Sequence, residues 1–365
     1  MSARLEVDVR PGLEPALFRA MEAGASVLRP ALEEGFPPAA AAALVDARGI
    51  AAEAWGGWAC LDPERVALAR GTRFDLASLT KVMISVSLVL RMRDEHRWSL
   101  ADPVRRWLPA FPREDLTLRH CLTHTSGLPS HRPLYLLPRP RRIRRTVYDE
   151  ARRAGPPGEV VYSDLNFMLL GWALEALSGT GLRRLAREAL LDPLGMSATD
   201  YRPPARLRRM TAATEVGGDQ RPAPEAIWGE VHDGNAWAMG GVAGHAGLFA
   251  PVSDVAGFVS ALLRPGRHPV LSAASIAEMT SRQAGRSPDV RGLGWRLEPG
   301  EWGDWPEGTF WHTGFTGTSI LVAPALAMGV VLLTNAVHPR RRLDRQATLR
   351  RDFHRALIRE LGTRG

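Results

Sequence analysis

The hydrophobic pattern changes twice along the chain, and these two changes limit the possible folds more than any other feature. Strand-like segments lie near both ends of the sequence, at residues 41–47, 50–58, 318–322 and 328–334. Between about residues 98 and 282 the pattern is helical, with many glycine and proline breaks. Two more helices are expected at residues 14–34 and 344–361.

Strands at both ends that enclose a helical middle indicate one α/β domain interrupted by an all-α domain. We therefore predict a discontinuous α/β domain of residues 1–97 and 286–365 and a mainly helical domain of residues 98–285. The active site is expected between them. The arginine-rich stretch from Pro133 to Arg145 is predicted to be an exposed loop.

The composition is that of an ordinary globular protein, with 45% hydrophobic and 24% charged residues. The longest apolar run, Val82 to Leu90, is about half of what a membrane span needs. The first ten residues lack the pattern of a secretion signal, and two cysteines are too few for a disulfide framework. These features predict a cytoplasmic protein that does not bind a membrane.

The formal net charge is +8, which is also compatible with a nucleic-acid binder. The arginines cluster around residues 139–145 and 340–345, but no aromatic residues alternate with them as stacking platforms. We therefore interpret both clusters as solvated surface and predict no nucleic-acid partner.

Lys81 is the only lysine in the sequence, although lysine and arginine together number 47. Lysine differs from arginine in that its ammonium can lose a proton inside a protein. A single retained lysine is therefore a candidate base, and chance survival is the alternative.

The neighbourhood of Lys81 strengthens the candidate. Ser78 precedes it by three residues and opens the apolar segment that continues to Leu90. Residues three apart on a helix share a face, so the two side chains should lie side by side. Serine is a weak nucleophile unless a base accepts its proton, and a desolvated, neutral lysine can do so. The alternative is a helix-capping serine beside a lysine that reaches towards solvent.

Two further segments carry chemically useful side chains. Tyr162, Ser163 and Asp164 open an apolar helix, where a tyrosine beside an ammonium could exchange protons. His312, Thr313 and Gly314 with Phe315 begin a strand whose backbone could approach a substrate. Taken alone, the first segment favours a helix cap beside a packed tyrosine. The second is a weak signal, because a structural histidine at a glycine-rich strand start is common.

Other enzyme classes do not fit the sequence. No serine lies in a Gly-x-Ser-x-Gly elbow, and Thr80 stands where a P-loop requires glycine before its lysine. His120 and His124 have the four-residue spacing of a zinc helix, but Cys121 replaces the glutamate that follows the first histidine. We predict no metal and no cofactor.

The order and spacing of the three segments resemble those of the serine β-lactamase and penicillin-binding-protein superfamily, and within it the class C-like hydrolases and esterases. Auxiliary stretches support the resemblance, which covers roughly residues 40–345. They are residues 122–129, 193–196, 240–249, 292–295 and 330–335. The resemblance implies an antiparallel sheet flanked by N- and C-terminal helices, with a helical domain inserted.

By resemblance, Ser78 is the acylated nucleophile, Lys81 its proton acceptor and Tyr162 a base or proton shuttle. The backbone N–H groups of Ser78 and Phe315 would form the oxyanion hole. Asp164 and His312 occupy places where many relatives have asparagine and lysine. The asparagine and the lysine of these relatives help to hold a β-lactam. Aspartate and histidine in their places therefore make hydrolysis of β-lactam antibiotics a weaker assignment.

The sequence therefore predicts a serine hydrolase that forms an acyl-enzyme with a small ester, amide or lactam, with esterase-like activity favoured. D,D-carboxypeptidase or β-lactamase activity and a catalytically silent ligand-binding homologue remain alternatives. The sequence does not identify the acyl substrate or the oligomeric state. Lys81→Arg is expected to abolish acylation and to preserve the fold.

Overall fold

A computed structural model describes residues 4–137, 141–218, 221 and 225–362. Its strands are β1 (Glu6–Val9), β2 (Ala39–Asp46), β3 (Gly49–Cys60), β4 (Val66–Ala67), β5 (Phe74–Asp75), β6 (Asp200–Tyr201), β7 (Leu248–Ala250), β8 (Arg296–Leu297), β9 (Phe310–Thr313), β10 (Ser319–Ala323) and β11 (Met328–Thr334).

Its α-helices are α1 (Pro15–Glu33), α2 (Ser87–Asp94), α3 (Leu118–Leu122), α4 (Arg141–Arg153), α5 (Asp164–Ser178), α6 (Leu182–Ala186), α7 (Gly234–Ala238), α8 (Val252–Leu262), α9 (Ala273–Met279) and α10 (Leu343–Leu361). A π-helical segment, Lys81–Val86, leads into α2. A second π-helical segment, Arg187–Leu191, follows α6. The short 3₁₀ turns are Val104–Arg106, Leu134–Leu136, Ala205–Met210, Pro265–Arg267, Gly300–Trp302 and Pro324–Leu326.

The main sheet is antiparallel and has the strand order β1-β3-β2-β11-β10-β9-β8, with β4 added to β3. The central register places Ala41 opposite Leu333 and Ala43 opposite Val331. Strands from both ends of the chain thus pair at the centre, because β2 belongs to the N-terminal part and β11 to the C-terminal part. The predicted antiparallel sheet is confirmed.

Each face of the sheet is covered by helices. Alternate residues of β2 and β11 belong to different apolar cores, as the two-residue period of a strand requires. The core shared with α1 and α10 includes Ala42, Leu44, Val330, Leu332 and Phe353. The other core includes Ala41, Ala43, Val331 and Leu333 and continues into the helices that carry the candidate site.

Two glycines allow these layers to approach closely. A Cβ atom at Gly24 of α1 would lie 2.8 Å from the ring of Phe353, and one at Gly329 of β11 would lie 2.2 Å from Val259 Cγ1. The first contact sets the spacing of α1 and α10, and the second sets that of α8 on the sheet.

A second, three-stranded sheet has the order β5-β7-β6. It joins the strand immediately before Ser78 to segments from the middle of the chain, and the hydrophobic pattern did not predict it. The division into a domain of residues 1–97 and 286–365 and a domain of residues 98–285 stays a prediction. Helix α8 lies within residues 98–285 but packs on the main sheet.

The predicted exposed loop from Pro133 to Arg145 is wrong at its C-terminal end, since α4 begins at Arg141. Residues 138–140 lie outside the described part. Ile143, Val147 and Ala151 are buried at helical spacing, which explains why this arginine-rich segment forms a helix on the surface.

Within the described residues no helix is both long enough and apolar enough to cross a bilayer. Cys60 and Cys121 are both buried and free. The cytoplasmic location stays a prediction.

Phe353→Ala should lower the free energy of unfolding by about 3–5 kcal/mol, because the ring is fully buried between α1 and the sheet and its removal leaves a cavity against Gly24. Urea unfolding followed by circular dichroism measures this change. Arg359→Ala on the exposed side of the same helix is the control and should change stability by no more than about 0.5 kcal/mol. Equal effects of the two substitutions would contradict this packing.

Candidate active site

Ser78 lies in a tight turn between β5 and the helical segment that contains Lys81. Ala77, directly before it, has a left-handed backbone with φ of 46°, which is unfavourable for a residue with a side chain. The buried carboxylate of Asp75 accepts hydrogen bonds from the backbone N–H groups of Ala77, at 2.8 Å, and of His232, at 2.7 Å. These bonds hold the strained turn in place, so that Ser78 stays partly exposed.

Lys81 is fully buried, and its amine is surrounded by acceptors from three parts of the chain. The Nζ atom lies 2.8 Å from Ser78 Oγ, 3.0 Å from the carbonyl oxygen of His245 and 2.8 Å from Asp164 Oδ1. An ammonium has three protons to donate, and each of these acceptors can take one. The predicted contact between Ser78 and Lys81 is therefore present.

Burial by itself would lower the pKa of Lys81, as the apolar sequence around it suggests. The negative charge of Asp164, followed by the interaction with Tyr162, outweighs this effect and raises the pKa of Lys81 above its usual value. The resting side chain is therefore an ammonium, and the expectation of a neutral amine created by desolvation is wrong for this state.

Asp164 is the first residue of α5, and its carboxylate lies between Lys81 and His131, whose Nδ1 is 3.9 Å from Asp164 Oδ2. Burial would raise the pKa of Asp164, but the ammonium of Lys81 dominates and moves this pKa well below its usual range. Asp164 is therefore an ionised partner of Lys81 and differs from the neutral asparagine of many relatives.

Tyr162 lies half-buried beside the same amine. The centre of its ring is 5.1 Å from Lys81 Nζ, 4.5 Å from the ring of His124 and 6.1 Å from the ring of His312. Three separate segments thus meet around the phenol. The sequence interpretation treated His124 only as a possible metal ligand, although residues 122–129 were among the stretches that support the family resemblance.

His124 and His312 are both buried, and the Nδ1 atom of each forms one hydrogen bond with the backbone. His124 Nδ1 accepts the N–H of Ser163 at 3.0 Å, and His312 Nδ1 donates to the carbonyl oxygen of Thr313 at 2.8 Å. Burial, together with the nearby charges of Arg291 and Lys81, places the pKa of each imidazole well below its usual value. Both rings are therefore neutral near pH 7.

The end of β9 packs against the Ser78 turn. Thr316 Oγ1 donates to the carbonyl oxygen of Asp75 at 2.7 Å, and Thr318 Oγ1 donates to that of Leu76 at 3.1 Å. A Cβ atom at Gly314 would lie 2.5 Å from Leu76 O, so only glycine fits there. The segment of Thr313, Gly314 and Phe315 is therefore fixed beside the nucleophile.

The backbone N–H groups of Ser78 and Phe315 make no hydrogen bond to any described residue. Backbone amides without a partner near a nucleophile are available to stabilise an oxyanion. Phe315 itself is 39% exposed and stacks on His232, with 5.7 Å between ring centres.

His120 contributes to the cap of α3, because its Nδ1 accepts the N–H of Thr117 at 3.2 Å. No group of three or more potential metal ligands occurs in the part of the chain that the structure describes.

The structure brings together Ser78, Lys81, Tyr162, Asp164 and His312, with Gly314 and Phe315 at the edge. The sequence analysis missed three contributions, those of His124, His245 and Arg291. Arg291 is 4% exposed, and its guanidinium carbon lies 5.6 Å from the centre of the Tyr162 ring. The position of His124 in a stretch that supports the resemblance could have indicated its place in the site. Nothing in the sequence indicates the contact made by the carbonyl oxygen of His245 or the position of Arg291.

Comparison with known proteins shows the family to which the chain belongs. A sequence model of the Beta-lactamase family matches residues 25–355. A protein of Escherichia coli strain K12 named putative D-alanyl-D-alanine carboxypeptidase is 27% identical over 354 residues, which is 84% of this chain and 80% of that protein.

Two solved structures share the fold. The octameric penicillin-binding protein homologue from Pyrococcus abyssi has a TM-score of 0.75 at 20% identity and covers 94% of this chain and 77% of its own. EstCE1, described as a hydrolase with promiscuous acyltransferase activity, has a TM-score of 0.73 at 23% identity. The match covers 93% of this chain and 100% of the EstCE1 chain. With the family match extending over nearly the whole sequence, the chain belongs to the Beta-lactamase family and is a serine hydrolase.

Proposed function

We propose that the protein hydrolyses or transfers the acyl group of small esters through an acyl-enzyme on Ser78, with Lys81 and Tyr162 moving protons. The observation that carries this proposal is the 2.8 Å contact between Lys81 Nζ and Ser78 Oγ inside a buried network that leaves Ser78 partly exposed. A nucleophile with an adjacent amine and two free amides is suited to acyl transfer.

The charge of Lys81 determines how the proton would move. Because the ammonium has no lone pair, it can accept the proton of Ser78 only if it passes one of its own to another group. Tyr162 in its phenolate form is the neighbouring acceptor. In the proposed step Ser78 Oγ attacks the acyl carbon, its proton moves to Lys81, and one Lys81 proton moves to Tyr162.

The remaining half of the reaction follows from the same groups. Tyr162 gives its proton to the leaving oxygen as the acyl bond breaks, which leaves an acyl-serine and restores the phenolate. Water then attacks the acyl-serine, Tyr162 accepts the proton of the water, and Ser78 recovers its proton through Lys81. The amides of Ser78 and Phe315 would stabilise the negative oxygen in both halves.

Two features favour a neutral ester over a β-lactam or a peptide carboxylate. Asp164 places a negative charge in the site, and His312 is a neutral imidazole where many β-lactamases have a cationic lysine. A substrate carboxylate would therefore meet repulsion from Asp164 and no compensating charge from His312.

D,D-carboxypeptidase activity is the second candidate, because the name of the Escherichia coli relative favours it. A panel of short-chain p-nitrophenyl esters, nitrocefin and D-Ala-D-Ala peptides distinguishes the candidates. The proposal requires faster turnover of the esters, and a protein that turns over only the peptides would contradict it.

Ser78→Ala should abolish covalent labelling by a fluorophosphonate and lower p-nitrophenyl acetate turnover about a thousandfold or more, because the acyl group loses its acceptor. Mass spectrometry of the labelled protein and initial rates measure these effects. Ser281→Ala, at an exposed serine, is the matched control and should keep both activities. A wild-type protein that showed neither labelling nor turnover would instead be a silent ligand-binding homologue.

Lys81→Arg should abolish acylation, because a guanidinium does not release a proton in the protein's pH range. Lys81 has no exposed surface, so the larger side chain should also cost about 1–3 kcal/mol of stability through overpacking. Lys81→Met, which has a similar length and no proton to transfer, separates the two effects. Single-turnover acylation rates near wild type in either variant would refute the proton path.

Asp164→Asn should lower the pH at which kcat/KM rises. The carboxylate raises the pKa of Lys81, so its removal lets the pair of Lys81 and Tyr162 lose a proton more easily. The variant should also gain activity on nitrocefin, because repulsion of the carboxylate is removed. A pH profile with p-nitrophenyl acetate tests the first effect, with Asp304→Asn as an exposed control; a shift to higher pH would contradict it.

A further inference from the structure

Three buried polar atoms surround Tyr162 and have no hydrogen-bond partner among the described residues. They are Nε2 of His124, Nε2 of His312 and Nη1 of Arg291. Buried polar groups are normally paired, and such exceptions often mark a functional site. Of these three side chains, only Arg291 carries a charge near pH 7, because both imidazoles are neutral.

The charges that face Tyr162 come from several elements. Lys81 approaches from the helical segment that follows the Ser78 turn, and its charge is matched by Asp164 of α5 at 2.8 Å. Arg291 approaches from the loop before β8, with its guanidinium carbon 5.6 Å from the ring centre. His124 and His312 complete the surroundings without charge.

The charge of Arg291 is less fully neutralised than that of Lys81. Its partner, Asp289, lies 2.7 Å from Arg291 Nε but has 40% of its side chain exposed, so water screens this pair. The Arg291 side chain itself is only 5% exposed. Positive charge therefore remains next to the phenol, in a place that solvent does not reach.

The backbone around Arg291 fixes this position. Its N–H donates to Ala284 O at 2.9 Å, and its carbonyl oxygen accepts the N–H groups of Gln283 and Ala284. The next residue, Gly292, lies so close to Met279 that a Cβ atom would be 2.1 Å from Met279 O. The loop thus holds Arg291 beside the site with little freedom to move.

We propose that Arg291 is a positioning residue for the reaction, which supplies beside Tyr162 the fixed positive charge that the neutral His312 does not provide. The charge favours the state in which the pair of Lys81 and Tyr162 has lost one proton, to which Ser78 can give its own. A guanidinium suits this role because it keeps its charge at every pH at which the enzyme works. The inference rests on the proposed function.

The test is the pH dependence of kcat/KM for p-nitrophenyl acetate, a neutral ester, in wild type and in Arg291→Gln. Removal of an opposite charge at this distance should move the rise of the profile to higher pH by about one unit or more. At pH 7 this corresponds to a loss of activity of about tenfold. Arg291→Lys, which keeps a cation, should restore most of the profile.

Two further variants distinguish an effect of the Arg291 charge from a change in the structure of the loop. Arg296→Gln removes a second arginine beside Asp289, but its guanidinium lies over Trp311, 4.5 Å from the ring centre, so the profile should move much less than in Arg291→Gln. Asp289→Asn removes the partly screening carboxylate and should move the profile slightly to lower pH.

The possible outcomes are distinguishable. An unmoved profile in Arg291→Gln, or no recovery in Arg291→Lys, overturns the inference. So does an effect limited to KM for carboxylate-bearing substrates, since Arg291 would then be a substrate-binding residue. If the wild type does not hydrolyse the ester at all, the proposed function has failed and not this inference alone.

Discussion

A buried ammonium is the constraint on which the site depends. Lys81 has no access to water, so its charge must be balanced within the protein. Ser78, three residues away, and the distant Asp164 and carbonyl oxygen of His245 provide that balance. The same contacts that stabilise the charge therefore bring the nucleophile, the first turn of α5 and the loop before β7 together.

The strained turn before Ser78 is stabilised from two sides. Asp75 binds the amide of Ala77, while hydroxyl groups from the segment after β9 bind the carbonyl oxygens of Asp75 and Leu76. The turn thus belongs to the three-stranded sheet through β5 and contacts the main sheet through the threonines. A serine held in this way is oriented before any substrate arrives, which reduces the reorganisation that the reaction needs.

Much of this arrangement was predictable because it is local or periodic. The three-residue spacing of Ser78 and Lys81 predicts their contact directly. The continuous apolar runs of β2 and β11, which are buried on both faces, indicate the central strands. The strands of the second sheet are two or three residues long, too short to show a period, and they were missed. The arginine-rich start of α4 was assigned to a loop because its apolar residues are few, although they lie on one face.

The ionisation of Lys81 could not be predicted from its own neighbours. The apolar sequence around it indicates desolvation, which favours a neutral amine, but the deciding group is a carboxylate in a distant helix. The position of Arg291 over Tyr162 depends in the same way on a loop far along the chain. Contacts of this kind arise from the fold, and a spacing pattern does not contain them.

The complete burial of the single lysine has one more consequence, which concerns how the protein reacts with reagents for amines. No other side chain in the chain carries a primary amine, and this one is inaccessible and protonated in the folded state. Acylating reagents can therefore reach the Lys81 amine only while the surrounding helices are open. The rate at which this residue is modified would then measure how often the catalytic centre opens, a local motion that ordinary unfolding experiments average over the whole molecule.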